Sequence, residues 1–436
     1  MFELHGKYTN AVIQADRLDS NCVSQIQGMI NHVAFDQPVV IMPDAHAGKG
    51  AVIGFTMPLG SKLVPNIIGV DIGCGMTFAR LGTGKLENFA EIDREIRREV
   101  PFGVMIHDER TIDKLPEYGF WARAQHAWDT FAHSYKERFG DVMLMPAYDK
   151  EWFDATLERI GCPPARAANS IGTLGGGNHF IEFALDESGD TWLVIHSGSR
   201  KFGECVCKYW QRRAIRYQEK TQKSDVTDEI NRLKAEKQTF AIAKRVAEIK
   251  AARPQQVRGL EWLETLKDRL GYMHDMLFAQ QYASFNRFYM FDRITGILGV
   301  GPSSVVRECV HNFIDPTDMV IRKGAINASK NATCLIPFNM AAGSVVGVGK
   351  GNPEWNYSAP HGAGRAMSRS KARAQLRLDD FREHMRSAGV WSSSICRSTI
   401  DEAPDAYKPV EPLLDIIGET MSISARLKPV LNLKAK

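Results

Sequence analysis

The chain has no CxxC pair, no GxxxxGK[ST] run and no internal repeat. It also has no apolar stretch near the roughly 18 residues of a membrane span. Each absence excludes something. Eight cysteines at irregular spacing do not make the framework of a small disulfide scaffold. Without the GxxxxGK[ST] run, a Walker-type nucleotide site is not supported. Residues 1–20 mix Glu3, His5, Lys7, Asp16 and Arg17, so no apolar signal core is present. The expectation is a cytoplasmic protein with no membrane association. Hydrophobic residues make up 44%, enough to build a core and too many for a disordered chain.

Net charge is also nearly missing. The 55 Lys+Arg against 51 Asp+Glu leave a formal +4, which argues against a polyanionic partner until the distribution is inspected. Residues 208–275 hold 16 basic and 10 acidic side chains, and residues 365–397 hold 8 and 3. The remainder is therefore acidic. Two basic segments on an acidic body are either solvated helix faces or a phosphate-binding track.

Short β-rich runs at 39–42, 51–55 and 67–70 are bounded by Pro, Asp and Gly, as buried strands are. Residues 180–183 and 192–195 flank the turn 186–190 and predict a hairpin. Residues 86–99 and 117–139 predict helices. From 203 to 290 the pattern is helical, with Leu263, Leu266, Leu270, Met273 and Leu277 forming a core stripe and Pro254 expected to break the segment. The tail alternates through Leu427, Pro429, Leu431 and Leu433. The simplest architecture is one compact α/β (α+β) body over residues 1–436, with 203–290 as a helical insertion.

Chemistry concentrates in glycine-rich turns. Asp71 and Cys74 lie on one loop, Gly69-Val70-Asp71-Ile72-Gly73-Cys74-Gly75. A carboxylate and a thiolate so placed can hold a divalent metal, although a buried cysteine in a tight turn is the plainer reading. Of 12 histidines, His179, His196, His311 and His361 sit in Gly- or Asn-marked turns. Imidazole, thiolate and carboxylate together suit a first-row metal. Arg200, Lys323, Arg365 and Arg369 lie near Gly or Ser, as phosphate-binding cations do.

These strings resemble the RtcB family of GTP-dependent 3′-phosphate RNA ligases. The matching runs are 43–50, 69–76, 172–180, 196–200, 311–312, 322–325, 361–365 with 368–369, and 401–404 with 406–408. The resemblance implies an RtcB-like fold, with central sheets lining a deep metal and nucleotide pocket. It implies an enzyme that joins an RNA 3′-phosphate or 2′,3′-cyclic phosphate to a 5′-hydroxyl, using GTP and two Mn²⁺ ions, in RNA repair or tRNA splicing. Asp71, Cys74, His179, His196 and His311 match the metal ligands, and His361 matches the nucleophile that carries GMP. Asn178, His179, Phe180, Ile181, Glu182, His311, Asn312, Pro337, Phe338, Asn339, Met340, Ser344, His361, Gly362, Ala363, Gly364, Tyr407 and Lys434 match nucleotide contacts. Arg200, Lys323, Arg365 and Arg369 match phosphate or RNA contacts. The family's Pro-Gly-Ser-Met-Gly string is here Pro337-Phe338-Asn339-Met340-Ala341, which marks a divergent member and is expected to alter nucleotide geometry or RNA end preference. The expected partners are RNA and GTP, and a monomer is the expected state. A phosphodiesterase that opens cyclic phosphates without joining, and a non-catalytic RNA-binding subunit, are the competing readings.

Overall fold

The computed structural model describes residues 1–48, 50–83, 86–252 and 257–436. Pro254, expected to break the helical region, and Lys49 of the run 43–50 lie outside the described residues.

Two sheets carry the fold. A six-stranded sheet runs in the order Phe2–His5, Asn10–Ile13, Val39–His46, Ile53–Pro58, Val320–Lys323, Asn312–Ile314. A seven-stranded sheet runs Thr333–Asn339, Gly343–Gly349, Met421–Leu433, Phe180–Leu185, Thr191–Ser197, Gly75–Gly82, Arg307–Val310. Ala325–Asn327 pairs with Ser358–Pro360. Among these described strands, only Asn10–Ile13 with Val39–His46 is parallel. That places the protein on the α+β side of the expected class. The predicted hairpin is present, with Phe180 opposite His196 and Leu185 opposite Thr191. Its strands are buried on both faces and so lack a polar alternation.

One expected strand is a helix. Residues 67–70 belong in part to the helix Pro65–Ile68. Pro65 supplies a preset φ at the first turn and lacks the N–H that would be orphaned there. Gly69, at φ 86°, ends it.

The helices Arg200–Ala235 and Leu266–Leu298 span most of the predicted helical region. Leu270, Met273 and Leu277 are buried as the stripe predicted, whereas Leu263 lies before the helix and bridges to Leu63. The second helix carries an ionic group into the interior. Arg287 is fully buried, and its guanidinium donates to Gly73 O at 2.7 Å, Ser197 O at 2.9 Å and Glu308 Oε1 at 3.0 Å. These bonds tie the loop of Cys74 to the end of the His196 strand. Glu308 keeps part of its side chain in solvent, so the main loss on removing Arg287 is the pairing of two buried carbonyls, Gly73 O and Ser197 O, at about 2–5 kcal/mol together. Arg287→Ala is expected to lose about that much stability, read from denaturant midpoints. A loss under about 1 kcal/mol would mean water replaces the guanidinium without penalty.

Candidate active site at the seam of the two sheets

The two sheets meet at His311. It stands between Arg307–Val310 of one sheet and Asn312–Ile314 of the other. Its backbone N–H donates to Cys74 O at 2.9 Å, and Gly73 N–H donates to Asn312 O at 2.8 Å. The loop of Cys74 is thereby stitched to His311. Register does the rest. Gly75 pairs with both Ser197 and Val310, and Met76 with His196, so residues distant in sequence reach one end of one sheet.

Cys74 Sγ lies 3.2 Å from His196 Nε2 and 3.5 Å from His179 Nε2. Ligand atoms of these three residues all lie within 4.8 Å of one another. His179 Nε2 is also 3.1 Å from Asp71 Oδ2. The tautomer of His179 makes this cluster informative. Its Nδ1 is 2.8 Å from Leu174 O, an atom that only accepts, so Nδ1 carries the proton. In the neutral ring, Nε2 then turns a lone pair toward the Asp71 carboxylate and the Cys74 sulfur. Acceptors facing acceptors are unfavourable unless a cation lies among them or the imidazole is charged. A carbonyl fixing the outer nitrogen is the usual support of a metal-bound histidine. The donor set therefore fits a divalent cation.

Electrostatics agree with that reading. Burial and the neighbouring histidines hold His196 well below the usual imidazole range, which keeps it neutral and able to ligate. His311 is lowered in the same way by burial and by His361. Among the described residues, its Nδ1 is buried without a hydrogen-bond partner, and its ring stands 5.1 Å from that of His196. Burial, followed by Asp71, pushes the Cys74 thiol well up. The thiolate thus needs a cation to form, and binding would release its proton. Burial would raise Asp71, but a charged His179 ring beside it outweighs burial and holds the carboxylate at about 2, a positive charge that a cation would replace in the metal-bound site. Gly198 makes room for that carboxylate, since a Cβ there would collide with Asp71 Oδ1.

His361 faces the cluster from across the seam, its ring 5.1 Å from that of His311. It follows the strand Ser358–Pro360. Its Nδ1 is 2.6 Å from Oδ2 of Asp44, whose side chain is fully buried. The contact is short, but the oxygen lies off the ring N–H axis, so neither atom counts as hydrogen-bonded. We read it as an electrostatic pairing that leaves Nε2 as the open nitrogen. Lys408 fixes this approach. Its N–H donates to Gly364 O, and its Nζ reaches Pro43 O and Ala45 O on either side of Asp44.

A cavity of about 470 Å³ joins these groups. Of the expected residues, Asp71, Cys74, Asn178, Phe180, Glu182, His196, His311, Asn312, Lys323, Tyr407 and Lys434 line it. Pro337, Phe338, Asn339 and Met340 line it too, as do 361–365 and Arg369. His179 stands behind, against Cys74. Ile181 and Ser344 do not line the cavity. Strand alternation turns Phe180 and Glu182 inward and sends Ile181 into the core on the other face. Ser344 is buried in the sheet opposite Pro337. Arg200 is also outside the lining. Its guanidinium donates to Thr173 Oγ1 at 3.1 Å and Gly103 O at 3.0 Å, behind the metal cluster.

At the far end, Glu402 gathers the cations. Lys434 Nζ is 3.0 Å from its Oε2 and also donates to Asn178 O, and the Tyr407 hydroxyl donates to Oε2 at 2.9 Å. Arg369 pairs with Glu402 and, at 2.7 Å, with Asp401, and the Arg365 guanidinium lies over the Tyr407 ring. Burial alone would raise Glu402, but Lys434 and Arg369 outweigh it and keep the carboxylate charged. Glu182 behaves oppositely. Burial pushes it up to about 8 despite Asn432 and Lys434, and among the described residues its buried Oε1 has no partner. Lys323, lowered to about 8 by burial, donates to Asn66 O in the opposite wall.

Sequence reasoning gave no role to Asp44, Glu402 or Arg287. Asp44 and Glu402 sit inside the matching runs 43–50 and 401–404, which was their only signal. The altered string 337–341 reads differently in three dimensions. The Phe338 side chain packs into a core cluster, and Asn339 Oδ1 accepts from the N–H groups of Ala341 and Ala342 at 2.9 and 2.8 Å. Asn339 thus shapes the turn between two strands while still bordering the cavity.

A thiol, three imidazoles and a carboxylate at one end, a carboxylate-backed histidine in the middle and a cluster of cations around Glu402 beyond it fit a metal-dependent enzyme that handles phosphate groups. The comparisons narrow the class. The family model described as tRNA-splicing ligase RtcB matches residues 25–435, and the chain belongs to that family. RNA-splicing ligase RtcB of Escherichia coli is 28% identical over 415 residues, covering 91% of this chain and 90% of that protein. tRNA-splicing ligase RtcB of Aeropyrum pernix is 25% identical over 451 residues, covering 90% and 86%. Among the described residues, no helix is long and apolar enough to cross a membrane.

Proposed function

We propose that this chain is an RNA ligase that joins a 3′-phosphate or 2′,3′-cyclic phosphate end to a 5′-hydroxyl end through a GMP–His361 intermediate. The observation that carries the reading is His361 itself. Its Nδ1 is held 2.6 Å from buried Asp44 while its ring borders the Cys74 cluster in one cavity. With the proton kept on Nδ1, Nε2 is a lone-pair nucleophile. Nε2 attacks the α-phosphorus of GTP, a P–N bond forms, and pyrophosphate leaves. A 2′,3′-cyclic end is first opened by water, which adds to phosphorus as the P–O2′ bond breaks, and the resulting RNA 3′-phosphate then attacks the same GMP phosphorus and releases His361. The 5′-hydroxyl attacks the activated RNA phosphate, and GMP leaves.

Asp71, Cys74, His179, His196 and His311 would hold two Mn²⁺ ions. A divalent cation there neutralises phosphate charge and lowers the pKa of a bound hydroxyl or water. Lys434, Tyr407 and Glu402 close the end expected to take guanine. Arg365, Arg369 and Lys323 flank the phosphates, and Arg200 supports the cluster from behind. Residues 1–436 act as one catalytic unit, and free thiols with a thiolate ligand suit the reducing cytoplasm.

The test is covalent labelling. Protein mixed with GTP and Mn²⁺ is expected to gain the mass of one GMP, and His361→Ala to gain none. Absence of the adduct across a panel of divalent metals would remove His361 from nucleotidyl transfer.

A further inference from the structure

The basic segment 208–275 resolves into something narrower. The helix Arg200–Ala235 begins three residues after the strand that carries His196. Between 208 and 223 it carries six cations and one carboxylate, Glu219; between 224 and 236 it carries two cations and four carboxylates. The positive charge is therefore confined to the half nearest the cavity. At about 100° per residue, Lys208, Arg212, Arg216, Lys220 and Lys223 fall within an arc of about 120°, which also includes Glu219. All five are exposed, whereas Trp210, Gln211, Ala214 and Gln218 on the opposite face are buried. Arg213 lies outside the arc and is committed to Asp268 at 2.7 Å. Lys208 pairs with Glu204 and also borders the cavity. Among the described residues, Arg212 Nε donates only to Lys208 O, within its own helix. Among the described residues, no ion pair is formed by Arg216, Lys220 or Lys223.

Position gives the stripe its direction. The helix packs on the cavity wall, where Asn66 N–H donates to Gln211 and Cys207 Sγ contacts Pro65 O. Lys208 is therefore on the wall with Asn66 and Lys323, while the guanine end is formed by Lys434, Tyr407 and Glu402. A polymer whose reacting end lies at the metal cluster can leave past Lys208 without crossing the nucleotide. Four exposed cations beyond it then extend the contact over about 22 Å of helix.

We propose that Arg212, Arg216, Lys220 and Lys223 form a track for the RNA sugar–phosphate backbone several nucleotides from the joined end. The occupant is RNA because the charge is spaced along a line, leads out of a phosphate-handling cavity and outnumbers the one carboxylate in the arc, Glu219. The inference rests on the RNA-ligase reading, and its test separates the two.

The test compares the fourfold variant Arg212→Gln, Arg216→Gln, Lys220→Gln, Lys223→Gln with the unaltered protein. A second control is Lys234→Gln with Lys237→Gln, outside the stripe. All are exposed positions, and the His361–GMP adduct reports that each protein is folded and competent. For a 20-nucleotide single-stranded RNA bearing a 3′-phosphate, the fourfold variant should show KM raised on the order of tenfold with kcat unchanged. Its dependence of log affinity on log salt should be shallower by about 3, from four contacts at about 0.7 each. A four-nucleotide RNA should be joined equally well by all three proteins, and the control should match the unaltered protein throughout. Equal KM and salt slope for the long RNA would overturn the track and leave a solvated face. A matching loss in the control, or an equal loss for the short RNA, would overturn it as well. Failure of every protein to take up GMP would instead refute the ligase reading.

Discussion

Cys74→Ala is expected to abolish metal-supported guanylylation while leaving the fold intact. Cys74 Sγ lies within 3.5 Å of both His179 Nε2 and His196 Nε2, so removing sulfur breaks the cluster at its centre. The change leaves Cβ in place on a loop held by Arg287, His311 and Asn312, so the scaffold survives. Loss of a hydrogen bond behind a ligand already costs about 10–100-fold in metal affinity. Loss of a charged ligand should cost at least ~10²-fold. Two measurements check this: Mn²⁺ retained per chain after desalting, and the mass of GMP gained. Cys22→Ala, in the core away from the cavity, should retain both. If Cys74→Ala keeps its metal and its adduct, the cluster is only a set of buried side chains, and a different group binds the cation.

The ligand types were readable in the sequence because metal chemistry restricts them to a few side chains and the loops that bear them are rich in glycine. Their convergence was not. It depends on strand register, and no local pattern states that Gly75 will lie opposite both Ser197 and Val310. Partners across the seam were hidden for the same reason. Asp44 reaches His361, and Glu402 reaches Lys434, only once the sheets and the last strand have paired. Where a local rule governs, the reading held, as in the hairpin of Phe180–Leu185 with Thr191–Ser197. Where two local rules compete, it failed. At 67–70 an apolar run suggested a strand, but Pro65 started a helical turn and Gly69 ended it. At Ile181, which family likeness places among the nucleotide contacts, the period of a strand turns the side chain away from the cavity. Charge was the coarsest signal. A formal +4 for the whole chain hides a sequestered cationic half-helix, and even the segment 208–275 was too wide a window for it.

Asp44→Asn tests how His361 is made a nucleophile. The carboxylate can only accept, so it favours the imidazole tautomer with hydrogen on Nδ1 and the lone pair on Nε2. It also offsets the positive charge that the ring gains as the P–N bond forms. Asparagine keeps the shape but removes the charge, and its amide can turn NH₂ toward Nδ1. That orientation favours the opposite tautomer, which covers Nε2 with a proton. The expected result is a drop of about 10²–10⁴-fold in the single-turnover rate of GMP transfer, the range for a misplaced proton in acid–base catalysis. GTP affinity and metal content should stay within a few-fold of the unaltered protein, because Asp44 is outside the Cys74 cluster. Asp44→Glu restores the charge at a shifted position and should recover part of the rate. A purely structural role for Asp44 would look different: thermal stability, metal content and rate would fall together, and Asp44→Glu, larger in a site with side-chain exposure of 0%, would be worse than Asp44→Asn. That ordering would sink the positioning role and leave the tautomer of His361 to be set by some other neighbour in the seam.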